Sequence, residues 1–202
     1  MLGAIEAGGT KFICAVSDDE LNIIEKISIP TTEPEETFAK VFAFFDRFDL
    51  KAIGIGSFGP IDTDKQSSTY GYITSTPKLK WQNTDFQGVF ARRYQVPVGW
   101  NTDVNAAALG EVSLGAARDK DSCVYITVGT GIGGGAFING EPLTGISHPE
   151  MGHFYPPKHA EDTYEGCCDF HGDCLEGLAS GPAIEGRFGI KAEQLSKDHK
   201  AW

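Results

Sequence analysis

Three of the chain's five cysteines and one of its five histidines fall within eight residues of the segment EGCCDFHGDCLEG. Cys168-x-x-His171-x-x-Cys174 offers three soft or borderline ligands, each two residues from the next, and one tight turn brings such a set around a single ion. Zinc prefers four ligands of this sulfur and nitrogen type. The fourth is expected from elsewhere: His153 in HPEMGHFYPP is the best candidate, with His159 and Cys167 as competitors. A disulfide, a nucleophilic cysteine and incidental thiols on a loop are the other accounts. Reduced thiols in a cytoplasmic protein argue against the disulfide. No nucleophile elbow or papain-like context surrounds any of the three cysteines, which argues against the nucleophile.

A second chemistry lies in two glycine-rich turns. GAIEAGGTKFICAV near the start and SCVYITVGTGIGGGAFINGE from residue 122 each run an apolar strand into a glycine turn and back along a second apolar strand. Glycine permits positive φ and lets the backbone approach a ligand closely. Successive N–H groups in such turns form concave anion sites. One glycine hairpin is commonplace. Two, facing each other across a cleft between related lobes, would hold a triphosphate from both sides, with the second lobe starting near residue 120. Asp103 stands where PVGWN ends and DVNAAALGE begins, at the C-terminal end of a strand, where α/β folds carry their ligand crevice. An Asp there is also a good helix cap, and Thr102 would serve equally. Position alone leaves cap and general base open.

The elements that must carry these residues alternate. Residues 2–6, 11–17 and 22–29 read as a strand meander. Residues 33–48 carry acidic residues in the first turn and apolar ones at Phe38, Val41, Phe42 and Phe45, a helical period. A strand is expected at 52–57 and a long polar loop or hairpin over 63–83. A helix then spans TDFQGVFARRYQV, a strand PVGWN and a close-packing helix DVNAAALGEVSLGAA. The alternation predicts an α/β architecture.

Bulk properties exclude other classes. At 202 residues, 41% hydrophobic and 22% charged, the composition is globular. Seventeen Lys and Arg against 28 Asp and Glu give a formal charge of −11, which argues against a nucleic-acid surface. No signal-peptide pattern opens the chain and no apolar run approaches a bilayer span, so the expectation is a soluble cytoplasmic protein without a membrane partner.

EAGGTKF, VNAAALGE, VGTGIGGGAFING, HPEMGH and CLEGLASGPAI, in that order, resemble the ROK family of sugar kinases, within the actin-like ATPase (ribonuclease H-like) fold. EAGGTKF, SHPEMGH and the Cys-x-x-His-Gly-x-Cys knuckle are most similar to the family's bacterial fructokinase branch. The resemblance implies two α/β lobes, residues 1–119 and 120–202. It also implies ATP-dependent phosphorylation of a hexose, fructose to fructose 6-phosphate, with Mg²⁺ beside the ATP, a structural Zn²⁺ and a homodimer. Glucose, mannose or an N-acetylhexosamine would be the other acceptors. A non-catalytic sugar-sensing regulator or a zinc-stabilised interaction module are the other classes; this chain starts at its first strand, without the helix-turn-helix usual in such regulators. An interaction module would leave the paired hairpins and Asp103 unexplained.

Residue by residue, the resemblance assigns Asp103 as general base for the 6-hydroxyl. It implies a first phosphate hairpin of Glu6, Gly8, Gly9, Thr10 and Lys11, with Glu6 near Mg²⁺, and a second of Gly129, Thr130, Gly131, Gly133 and Gly134. Lys11 would otherwise be a solvated strand residue. Gly59 and Pro60 would cover the sugar, or form a plain turn. Glu150 would bind sugar hydroxyls and His153 would anchor the zinc; spaced i, i+3, they share a face if helical. Glu176 would contact the sugar, or merely complement a helix dipole. Thr102 stands where many of these kinases have Asn. The chain stops at QLSKDHKAW, inside an incipient helix, whereas the family continues into an adenosine-binding glycine motif. The expectation is a second lobe incomplete in this chain, either truncated or completed by another polypeptide.

Overall fold

The computed structural model describes residues 1–145 and 148–199. β1 (Leu2–Ala7), β2 (Lys11–Ser17) and β3 (Ile23–Pro30) form the meander, and α1 (Pro34–Phe45) leads to β4 (Ala52–Ser57). β5 (Tyr72–Ile73) and β6 (Thr84–Asp85) pair as a small separate hairpin before α2 (Phe86–Tyr94), β7 (Val98–Thr102) and α3 (Asp103–Leu114). β8 (Ser122–Val128), β9 (Ile132–Ile138) and β10 (Glu141–Pro142) follow, then α4 (Leu175–Ala179) and α5 (Gly181–Phe188). The first sheet runs β3-β2-β1-β4-β7, with β1, β4 and β7 parallel and β2 antiparallel to both neighbours. The second is antiparallel, in the order β10-β9-β8.

Strand alternation decides which faces are filled. Gly3, Ile5 and Ala7 of β1 turn inward while Ala4 and Glu6 are exposed. On the inward face Phe12, Phe38, Trp81, Phe86 and Phe90 pack ring on ring, with Phe38 and Phe86 centroids 4.9 Å apart. Offset and edge contacts of this kind add to plain burial. The polar stretch 63–83 is more ordered than a loop: it delivers β5, a 3₁₀ turn at Leu79–Trp81, and Trp81, which is 1% exposed. Trp81, with the fully buried Ile73, makes it a core element.

α3 packs on β4, β8 and β9 and so joins the two sheets. Small residues allow this: a Cβ on Gly56 would stand 2.6 Å from the Ala106 Cβ, and one on Gly135 only 2.3 Å from the Val104 carbonyl oxygen. α3 ends at Leu114, short of the expected 117, with Gly115 as its C-cap. β8 is an edge strand whose Val124, Ile126 and Val128 are exposed. The helix expected over the last residues lies partly outside those described; within them only a 3₁₀ turn, Ala192–Gln194, forms. No helix among the described residues is long and apolar enough to cross a membrane.

Candidate functional site

Of the two residues that position alone left open as the helix cap, Thr102 takes it. Thr102, 3% exposed, accepts the Asn105 N–H on its Oγ1 at 3.2 Å and caps α3. Asp103 is the first helical residue, and its Oδ1 accepts the adjoining Val104 N–H, at 2.8 Å. The carboxylate is therefore not the cap. Burial pushes the Asp103 carboxyl above its ordinary value; the Val104 amide opposes this, and the Glu6 and Glu150 carboxylates add to the rise. Three acids from β1, the head of α3 and the segment before Met151 thus share one field. A carboxylate whose pKa is raised towards neutrality is better matched to taking a proton. Glu6 and Asp103 line one cleft of about 750 Å³ with Gly56, Trp100 and Tyr125.

The two glycine turns sit at corresponding places, each between the first two strands of its sheet. In the first, Gly8 N–H donates to the Lys11 carbonyl at 2.9 Å, and Thr31 fastens the turn through Gly8 O and Thr10 O. In the second, Gly129 N–H donates to Gly131 O at 2.8 Å, and Gly181 at the head of α5 donates to Gly129 O at 2.8 Å. Gly129, Thr130 and Gly131 make that turn, whereas Gly133 and Gly134 lie inside β9, where Cβ atoms would collide with Val104 and Met151. Neither turn uses a glycine at positive φ; Gly8 and Gly131 are needed for close approach, since a Cβ would stand 2.8 Å from the Lys11 carbonyl oxygen and 2.5 Å from Glu176 Oε2, while Gly129 leaves open space.

His153, Cys168, His171 and Cys174 bring four ligand atoms within 4.8 Å of one another. The Cys174 Sγ lies 3.5 Å from His153 Nδ1, and the Cys168 Sγ lies 3.8 Å from both His153 Nδ1 and His171 Nδ1. A tetrahedral zinc with bonds of about 2.3 Å to sulfur and 2.0–2.1 Å to nitrogen separates its S and N ligands by roughly 3.5–3.6 Å. The donor set and its dimensions fit that ion. His159 and Cys167 stay out of the cluster: His159 Nδ1 accepts the Glu161 N–H, and Cys167 Sγ faces the Ser180 hydroxyl at 3.9 Å. All five cysteines are free, and burial pushes the Cys14 thiol up to about 12.

The knuckle is a tight turn in which Cys168 and Gly172 exchange both main-chain hydrogen bonds. A Cβ on Gly177 would stand 1.9 Å from the Gly172 carbonyl oxygen, so α4 closes on the knuckle only with glycine there. Cys174, fully buried, caps α4 by accepting the Gly177 N–H on sulfur at 3.4 Å. The segment holding Glu150 and His153 is not α-helical, so their i, i+3 spacing gives no shared helical face. Glu150 precedes the 3₁₀ turn Met151–His153 with φ 50°, and its carbonyl instead accepts the His153 N–H at 3.0 Å. Both residues line a second cleft of about 770 Å³ with Ile132, Gly133 and Gly134. Asn105 Nδ2 donates to Asn101 Oδ1 at 2.9 Å and to Leu143 O at 3.4 Å, which ties the approach to this segment onto α3.

Glu176 accepts the Ile132 N–H, a contact that nothing in its sequence neighbourhood announces. Gly59 and Pro60 follow β4, and the Pro60 carbonyl accepts from both the amide and the hydroxyl of Thr74. Lys11 is exposed at the head of β2. Lys78 was not expected at all: its Cε lies 3.1 Å from where a Cβ on Gly9 would stand. Only the fold brings that polar-loop lysine to the first turn.

Two sheets, each opened by a glycine hairpin and joined through the helix that Asp103 starts, define an α/β protein of the actin-like ATPase class. The chain belongs to the ROK family, whose sequence model matches residues 2–200. It is 57% identical over its whole length to a protein of Bacillus subtilis named putative fructokinase, of which it spans 68%. To the fructokinase of Streptococcus mutans it is 49% identical over 207 residues, covering 100% of this chain and 70% of that protein. The structure is similar, with a TM-score of 0.72 at 29% identity, to a ROK glucokinase of Streptomyces griseus solved with glucose and AMPPNP; 91% of this chain and 58% of that one are covered.

Proposed function

We propose that the protein is an ATP-dependent hexose kinase with D-fructose as its favoured acceptor. The observation that carries this reading is the freed carboxylate: Asp103 is relieved of capping by Thr102 and raised in pKa beside Glu6 and Glu150. Whole-chain similarity to proteins named fructokinase favours fructose.

In this reading Asp103 accepts the proton of the sugar's 6-hydroxyl. O6 bonds to the γ-phosphorus, the bond from that phosphorus to the β,γ-bridging oxygen breaks, and ADP leaves. The work is positioning and charge stabilisation, as in phosphoryl transfer generally. The turns at Gly8, Gly9 and Thr10, with Lys11, and at Gly129, Thr130 and Gly131 cradle the phosphates, the Gly8 and Gly129 N–H groups closing the turns themselves, and Gly133 and Gly134 serve by letting β9 pack. Glu6 would lie near the Mg²⁺ that accompanies ATP, which would supply charge neutralisation at the phosphate oxygens. Glu150 and Glu176 take sugar hydroxyls, with Gly59 and Pro60 covering the sugar from the first lobe. Zinc at His153, Cys168, His171 and Cys174 is structural, cross-linking the Glu150 segment to the knuckle. The lobes meet near residue 120; a cytoplasmic homodimer completes the reading.

The test is a coupled ADP-release assay over fructose, glucose, mannose and N-acetylhexosamines. Fructose should give the highest kcat/KM. A protein that phosphorylates none of them is not a hexose kinase, and a higher value on another sugar reassigns the acceptor.

A further inference from the structure

The first glycine turn has a cation over it that the reading above does not use. Lys78 is half-buried, and its Cε lies 3.1 Å from the position a Cβ on Gly9 would take. Its stem therefore occupies the space that the missing side chain leaves open. Among the described residues no carboxylate pairs with it, whereas neighbouring Lys80 pairs with Glu33. In a chain of formal charge −11, a half-buried lysine without a carboxylate partner among the described residues stands out.

The placement is not that of a loose loop. Lys78 N–H donates to Thr76 Oγ1 at 3.3 Å, and its carbonyl accepts the Trp81 N–H at 2.8 Å. Trp81 is locked in the aromatic core, and its indole N–H donates to Thr32 O at 2.8 Å. The preceding residue, Thr31, holds the glycine turn itself through Gly8 O and Thr10 O. Two adjacent threonines thus fix the lysine's loop and the turn in one frame. A compact ammonium held over a turn of main-chain N–H groups matches a phosphate group as ligand.

We propose that Lys78 is a further catalytic residue, its ammonium contacting the transferred phosphoryl group at the Gly8–Thr10 turn. The assignment rests on reading that turn as a phosphate site. The turn follows Glu6, whose carboxylate lines the same cleft as Asp103, and in this assignment the phosphate it receives is the one the hydroxyl attacks. Positive charge fixed there before the reaction stabilises the charge that spreads over the equatorial oxygens. In the proposed reading the acceptor sugar is held by other residues, Glu150 and Glu176, with Gly59 and Pro60 covering it.

The experiment compares Lys78→Met, Lys78→Arg and Lys80→Met in steady-state kinetics, with calorimetric titration of MgATP and MgADP. Met keeps the stem over Gly9 and removes the charge. Lys78→Met should lower kcat by roughly 10²–10³-fold, the usual loss for one preorganised electrostatic group, and weaken ATP more than ADP. KM for the sugar should hold. Lys78→Arg should restore part of the rate, and Lys80→Met should match wild type, because an exposed ion pair contributes little. If wild type binds and turns over ATP while Lys78→Met matches it in both, the assignment is wrong and the kinase reading stands. If wild type neither binds nor turns over ATP, the phosphate reading of the turn fails and this assignment fails with it.

Discussion

The carboxylate of Glu176 accepts the main-chain N–H of Ile132 at 2.8 Å, across 44 residues of sequence. This bond joins α4, which the cluster residue Cys174 caps, to the strand leaving the second glycine turn. Gly181 N–H to Gly129 O makes a second link from α5 to the same turn. The turn proposed to take phosphates and the cluster proposed to take zinc are therefore one mechanical unit. Glu176→Ala strands the Ile132 N–H and should cost about 1–3 kcal/mol, read by denaturant unfolding, together with weaker ATP binding. Glu176→Gln keeps an acceptor oxygen and should keep both, while raising KM for the sugar through the lost charge. Equal damage from Ala and Gln in unfolding would show that the bond to Ile132 contributes nothing.

Metal removal tests the other end of that unit. Protein purified without chelator should carry one zinc per chain by elemental analysis. Chelation should lower Tm and loosen ATP binding through Glu176, since an ion bound only by the folded state stabilises it by mass action. Cys168→Ser should do the same, and Cys167→Ser should not, because Cys167 faces Ser180 and lies outside the cluster. Both histidines must be neutral and both thiols deprotonated to bind, so zinc should be released as pH falls. Zinc-free protein with unchanged Tm would remove the metal from the account.

Glycine substitutions separate cradle from scaffold. A side chain on Gly9 meets only the flexible end of Lys78, and one on Gly129 meets nothing within 4 Å. Gly9→Val and Gly129→Ala should weaken ATP binding with little change in Tm. Gly131→Val is a poorer probe, because its Cβ would stand 2.5 Å from Glu176 Oε2 and break the bond to Ile132. Normal ATP affinity in both Gly9→Val and Gly129→Ala would leave the turns purely structural.

Much of this was legible because its signals are local. Apolar spacing at Phe38, Val41, Phe42 and Phe45 marks α1, and all but the half-buried Phe42 lie on the buried face of that helix. The Cys-x-x-His-x-x-Cys spacing marks the cluster for the same reason: three ligands within one turn need no tertiary information. What escaped depends on long-range contacts. Trp81 looks like part of a polar loop until Phe12, Phe38 and Phe86 surround it. Lys78 has no distinguishing neighbours in sequence, and its meaning arises only from Gly9. Glu150 and His153 at i, i+3 would share a face only in a helix, and the left-handed Glu150 precludes one. The cap question at residues 102 and 103 could not be decided from residue type, since Thr and Asp both cap; side-chain direction decides it.

Asp103→Asn then becomes a clean experiment. Thr102 holds the helix, so the substitution leaves the cap in place, and the amide oxygen can still accept the Val104 N–H. If Asp103 is the base, kcat should fall roughly 10²–10⁴-fold, with sugar affinity nearly unchanged. The raised pKa adds two signs to check. A carboxyl raised on folding stabilises the native state when protonated; that contribution fades as pH climbs through the unfolded pKa towards the folded one. At neutral pH the charged form is a burden that Asn removes, so Asp103→Asn should unfold at the same temperature as wild type or slightly above. The base works only when deprotonated, so the acid limb of kcat/KM should lie above the ordinary carboxylate range. Glu6 contributes to the rise, and Glu6→Gln should move that limb to lower pH whatever it does to the rate itself. Wild-type turnover in Asp103→Asn would take this carboxylate out of the mechanism, and a limb unmoved by Glu6→Gln would assign it to another group.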